Sequence, residues 1–105
     1  MLALAGDQAA PVLDNGSGLS RTERSSATSL TALLRRAATG PLAAPFASSL
    51  GRAGVDGTVA RMRERPGGSA VVGQAWLKTG SLRDVAALAG YVNGRSGQRY
   101  SLVAL

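Results

Sequence analysis

A lysine, a hydroxyl residue, a glycine and a second hydroxyl residue stand in succession at Lys78-Thr79-Gly80-Ser81. The ammonium offers charge, the hydroxyls offer hydrogen bonds, and a residue without Cβ lets another backbone come close. Together they suit a wall that holds an anionic group. The same four residues also fit an exposed strand end with a solvated lysine, so neighbouring sequence must decide between the two. Lys78 is the only lysine, and the rest of the basic excess is arginine.

Composition removes other chemistry. There is no Cys and no His, which excludes disulfides, thiol nucleophiles, an imidazole base and a zinc site built on His. Asp14 and Asp56 lie in the turn sequences Asp14-Asn15-Gly16 and Asp56-Gly57. Aspartate in such turns commonly accepts from local backbone N–H groups, so both are read as structural rather than as acid or base. Trp76 and Tyr91 have apolar neighbours and are read as core.

The elements that must position the tetrapeptide can be followed along 105 residues, one domain at most. Ser25 or Ser26 can cap a helix over about 26–38, in which Leu30, Leu33, Leu34 and Ala37 form an apolar stripe. Arg35 and Arg36 suit its last turn, and Gly40-Pro41 ends it. Residues 41–50 read as a short helical turn interrupted by Pro45, and 58–65 as one or two further turns. Then the period changes. Apolar or alternating runs at about 70–79, 85–92 and 98–105 predict three strands in an antiparallel meander, and Asn93-Gly94-Arg95-Ser96-Gly97 is a hairpin connection. The second run is apolar on both faces and calls for cover on both. The fold class is therefore α+β.

The chain is 45% hydrophobic, but mainly through Ala, Leu and Val, with Phe46, Trp76, Tyr91 and Tyr100 the only aromatics. Such a core is thin, and more protein is expected around it. The net charge of +6 comes from arginines scattered between Arg21 and Arg99. No nucleic-acid motif accompanies them, so they read as solvated surface with no nucleic-acid partner; a small basic nucleic-acid-binding module is the distant alternative. No segment reaches the roughly 18 apolar residues of a membrane span. The run Met1-Leu2-Ala3-Leu4-Ala5 is too short for a signal peptide.

Three stretches occur in a telling order: Asp14-Asn15-Gly16-Ser17-Gly18-Leu19-Ser20-Arg21, Gly54-Val55-Asp56-Gly57-Thr58, and Leu77-Lys78-Thr79-Gly80-Ser81-Leu82. With Val85 to Tyr91 and Gly97-Gln98-Arg99-Tyr100 they make the chain resemble the serine-type D-alanyl-D-alanine carboxypeptidase and endopeptidase family, the class C low-molecular-mass penicillin-binding proteins. The resemblance covers the chain from about Pro11 onward. It implies a β-lactamase or transpeptidase-like fold and an active-serine acyl transfer on peptidoglycan stem peptides ending in D-Ala-D-Ala. It also implies no cofactor, covalent inhibition of the full-length enzyme by β-lactams, and a periplasmic or cell-envelope location. A β-lactamase-like hydrolase or β-lactam-binding domain is the nearer alternative.

By that resemblance, Lys78 shapes the electrostatics of the site, Thr79 and Ser81 offer hydroxyls to the substrate carboxylate, and Gly80 lets the substrate approach. The backbone N–H of Ser81 is then one of two oxyanion donors. Ser17, Leu19 and Arg21 match the stretch that lies beside the peptide side chain of the substrate. Such enzymes also use Ser-x-x-Lys and Ser-x-Asn. Neither occurs here: Ala75 stands three residues before the sole lysine, and no serine stands two residues before an asparagine. The chain is thus expected to be the C-terminal part of a penicillin-binding domain, incomplete at both ends and inactive alone.

Overall fold

Ser26 fixes where the first helix begins. In the computed structural model, which describes residues 11–17, 19–20, 22–82 and 85–105, Ser26 is extended and its hydroxyl accepts from the Ser29 N–H at 3.0 Å. That bond satisfies one of the donors left free at a helix start. Helix α1 runs over Ala27–Thr39 and closes at Gly40, whose N–H returns to the Ala37 carbonyl. Leu34 is buried, but Leu33 of the expected stripe is 44% exposed. Helix α2 is Ala43–Ser48. Pro45 does not interrupt it, because it occupies the first turn, where no backbone N–H needs an intrahelical partner.

Among the described residues the sheet has four strands rather than three: β1 Gly51–Arg52, β2 Ala75–Leu82, β3 Val85–Asn93 and β4 Arg99–Ala104, in that order and antiparallel throughout. A two-residue strand carries no period, so β1 leaves no trace in the sequence pattern. The first long strand begins at Ala75, not near residue 70. Gly68–Val71 is a 3-10 turn, and Gly73 takes a left-handed φ of 73°. Its apolar residues serve packing without extending: Val71 joins the core. The last strand stops at Ala104.

Side-chain alternation along β2 divides the molecule into layers. Ala75 and Leu77 bury one face against Ala53 and Val59, with Met62, Val71, Leu88 and Val92 packed around them. Val59 belongs to a 3-10 segment, Gly57–Glu64. On the other face α1 covers β3 and β4, and the buried Tyr91 hydroxyl donates to the Leu34 carbonyl at 2.5 Å. Of the central strand, Gly90 and Tyr91 are buried, while Ala87 to Ala89 are half-buried and Ala86 is exposed, so cover on both sides holds only toward its C-terminal end. Gly90, opposite Leu77, lies so close to β2 that a Cβ would collide with the Trp76 carbonyl oxygen. The hairpin between β3 and β4 closes through Gly94 N–H to the Gln98 carbonyl at 2.7 Å and a positive φ at Gly97.

Candidate functional site on the open edge of the sheet

Strand β1 is shorter than the strand it pairs with. It opposes only Leu77 and Trp76. From Lys78 to Leu82, β2 has β3 on one side and, among the described residues, no strand on the other. The direction of each backbone group follows from two hydrogen bonds. The Ala75 carbonyl accepts from Ala53 on the β1 side, and the Gln74 carbonyl accepts from Asn93 on the β3 side. Backbone groups alternate in direction along a strand. Thr79 and Ser81 therefore present their N–H and C=O groups to the open edge, and Lys78 and Gly80 present theirs to β3.

The side chains alternate as well. Thr79 shares the face of Ala75 and Leu77, while Lys78 and Gly80 share the face of Trp76. The Lys78 ammonium curls back to the edge and donates to the Thr79 carbonyl at 2.6 Å. Lys78, Gly80 and Ser81 are exposed and Thr79 is half-buried. A Cβ at Gly80 would meet only the Ala87 Cβ, at an ordinary 3.7 Å. Packing within the described chain thus gives no reason for a glycine there.

Thr79 has a partner that sequence reasoning gave no role. Its hydroxyl lies 2.6 Å from that of Thr58. The turn after β1 delivers Thr58: the Asp56 carboxylate accepts from the Arg52 N–H at 2.6 Å, and Gly57 takes a φ of 60°. Val59, next in line, is buried in the core, and its carbonyl accepts from Gly54. Nothing in the sequence links positions 58 and 79, because the link is made by the packing of the 3-10 segment against β2. The turn role read for Asp56 is the one it has.

Ser17 and Leu19 lie in a loop closed by the Val12–Arg24 bridge. The Asn15 side chain accepts from the Ser17 N–H at 3.0 Å, and the Ser17 hydroxyl accepts from the Leu19 N–H at 3.1 Å. Leu19 is 74% exposed. No hydrogen bond among the described residues joins this loop to the tetrapeptide. Gly18 and Arg21 lie outside the described residues, as do residues 1–10 with their apolar run.

The aromatic pair divides. Tyr91 is core, edge-on to Phe46, and burial raises its hydroxyl pKa while the nearby Arg99 charge opposes the rise. Trp76 is only half-buried, with the guanidinium carbons of Arg52 and Arg99 at 5.5 and 4.6 Å from its ring centre.

Among the described residues of the tetrapeptide, the open edge thus carries one cation, two hydroxyls and an outward Ser81 N–H. Neither hydroxyl has a basic group as its hydrogen-bond partner among the described residues. Such groups suit the binding and polarising of an anion.

Residues 2–105 match the family model described as D-Ala-D-Ala carboxypeptidase 3 (S13). The chain is 42% identical over 98 residues to a D-alanyl-D-alanine carboxypeptidase of Actinomadura sp. (strain R39), covering 88% of this chain and 18% of that protein. Among solved structures it resembles penicillin binding protein 4 of Haemophilus influenzae, with a TM-score of 0.75 and 29% identity over 89% of this chain and 20% of that one. The same protein complexed with a β-lactam gives a TM-score of 0.72 over 85% of this chain. The chain spans about a fifth of the length of these relatives.

Proposed function

The chain belongs to the D-Ala-D-Ala carboxypeptidase 3 (S13) family, and we propose that it forms the Lys-Thr-Gly wall of a serine-type D-Ala-D-Ala carboxypeptidase acting on peptidoglycan stem peptides in the cell envelope. The observation that carries this reading is the edge of β2 beyond β1, open among the described residues, where the Lys78 ammonium turns back to the Thr79 carbonyl and Ser81 is exposed. The nucleophilic serine and its lysine come from residues outside these 105. The share of the relatives that the chain spans and the absence of Ser-x-x-Lys both support that division.

On this reading the substrate carboxylate meets the positive potential of Lys78 and accepts from the hydroxyls of Thr79 and Ser81. Gly80 leaves room for the substrate backbone. As the serine attacks the peptide carbonyl, charge grows on its oxygen, and the Ser81 N–H stabilises it. One such donor is typically worth about 3 kcal/mol in the transition state. D-Ala leaves, and water hydrolyses the acyl-enzyme. The Ser17 to Arg21 stretch is assigned to the side chain of the stem peptide, with Arg21 meeting a carboxylate at its far end.

Labelled penicillin tests the assignment directly. The full-length protein containing this chain should be labelled covalently, and the 105-residue chain should not. Labelling of the chain alone, or none of the full-length protein, would overturn it.

A further inference from the structure

We infer that Thr58 is a positioning residue that aims the hydroxyl proton of Thr79 at the substrate carboxylate. The inference rests on the carboxypeptidase reading and concerns how its anion-binding hydroxyl is oriented. The two hydroxyls lie 2.6 Å apart, and either can be the donor. A hydroxyl has one proton and two lone pairs. If Thr79 donates to Thr58, its proton is spent and it meets a carboxylate lone pair to lone pair. If Thr58 donates to Thr79, the Thr79 proton is free for the ligand. A carboxylate only accepts, so its arrival selects the second arrangement, and the row Thr58–Thr79–carboxylate becomes a polarised chain in which each bond strengthens the next.

The local structure is built to hold Thr58 there. Val59 anchors the next position in the core, Gly57 turns with a left-handed φ, and the Asp56 carboxylate pins the turn to the Arg52 N–H. Strand β1 fixes that turn against Leu77, two positions before Thr79. An exposed threonine is thereby placed over a single partner at the open edge.

The test compares acylation of the full-length protein by a penicillin and by its methyl ester, which lacks the carboxylate. Thr58→Val should slow acylation by the free acid about tenfold, the worth of one hydrogen bond, and leave the ester rate nearly unchanged. Thr58→Ser should restore the free-acid rate, since it returns the hydroxyl. A Thr58→Val variant that loses both rates alike, without rescue by serine, would mean a merely structural role and overturn the inference. Thr79→Val separates the two levels of argument. If it leaves the preference for the free acid intact, the assignment of the wall fails. If it abolishes that preference while Thr58→Val does not, only the role of Thr58 fails.

Discussion

Two glycines of the same hairpin, Gly80 and Gly90, should answer one added methyl group in opposite ways. At Gly80 the backbone has no left-handed φ, and a Cβ reaches only the Ala87 methyl at 3.7 Å. Gly80→Ala should therefore leave the fold intact, and even stabilise it by about 0.4–1 kcal/mol by narrowing the unfolded ensemble. At Gly90 the φ is 155°, and the new Cβ would run into the Trp76 carbonyl and lie 2.9 Å from the Leu77 Cα. Overpacking and an unfavourable backbone together should cost about 2–6 kcal/mol, a large part of the stability of a small domain. Denaturant unfolding followed by far-ultraviolet circular dichroism measures both changes. Penicillin labelling of the full-length protein supplies the other half. Gly80→Ala should abolish or severely slow labelling in a protein of undiminished stability, because its methyl occupies the surface kept open for substrate. Were Gly80→Ala as destabilising as Gly90→Ala, or fully labelled, the claim that ligand access rather than folding demands this glycine would be refuted.

Other consequences can be checked singly. Ser81→Pro removes the outward N–H at an open edge, where proline is tolerated; acylation should fall about 10²–10³-fold, whereas Ser81→Ala, which keeps the N–H, should lose far less. Tyr91→Phe should cost about 1 kcal/mol at neutral pH by removing the bond to the Leu34 carbonyl. Burial raises the Tyr91 pKa, so the folded state holds this proton more tightly. That contribution is complete below the usual tyrosine value of about 10 and is lost as pH rises above it. Wild type should thus weaken more than Tyr91→Phe between neutral pH and strongly alkaline solution, as read from unfolding midpoints. Ser26→Ala should destabilise α1 by about 1 kcal/mol, measured by the same unfolding.

Much of this architecture can be read from residue types, where a local rule suffices. The cap and the glycine stop bound α1 to within a residue, and Asn93 to Gly97 make the turn their composition announces. The tetrapeptide alone fits a solvated strand end as well as an anion-binding wall, and only the stretches Asp14 to Arg21 and Gly54 to Thr58 tie it to a family. Illegibility begins where contacts cross the chain. The two residues of β1 are strand only because Leu77 and Trp76 pair with them. Ala70 and Val71 are apolar like a strand yet sit in a 3-10 turn, since a short apolar run fits either state until packing decides. Pro45 looked like a break because its place in the first turn of α2 depends on where that helix starts. Thr58, in the 3-10 segment after β1, meets Thr79 through tertiary packing, which no spacing along the sequence encodes.

Trp76 offers a window on the wall that needs no added label. It is the only tryptophan in the chain, and it lies two positions before Lys78 on the same strand face, about 7 Å away along β2. The fluorescence of an indole shifts with the electric field across its ring, and here two cations stand over that ring, Arg52 from the strand before and Arg99 from two strands beyond. An anion settling on the tetrapeptide, or a slip of β1 against β2, changes that field. In the 105-residue chain the colour of the emitted light then reports such events at the open edge.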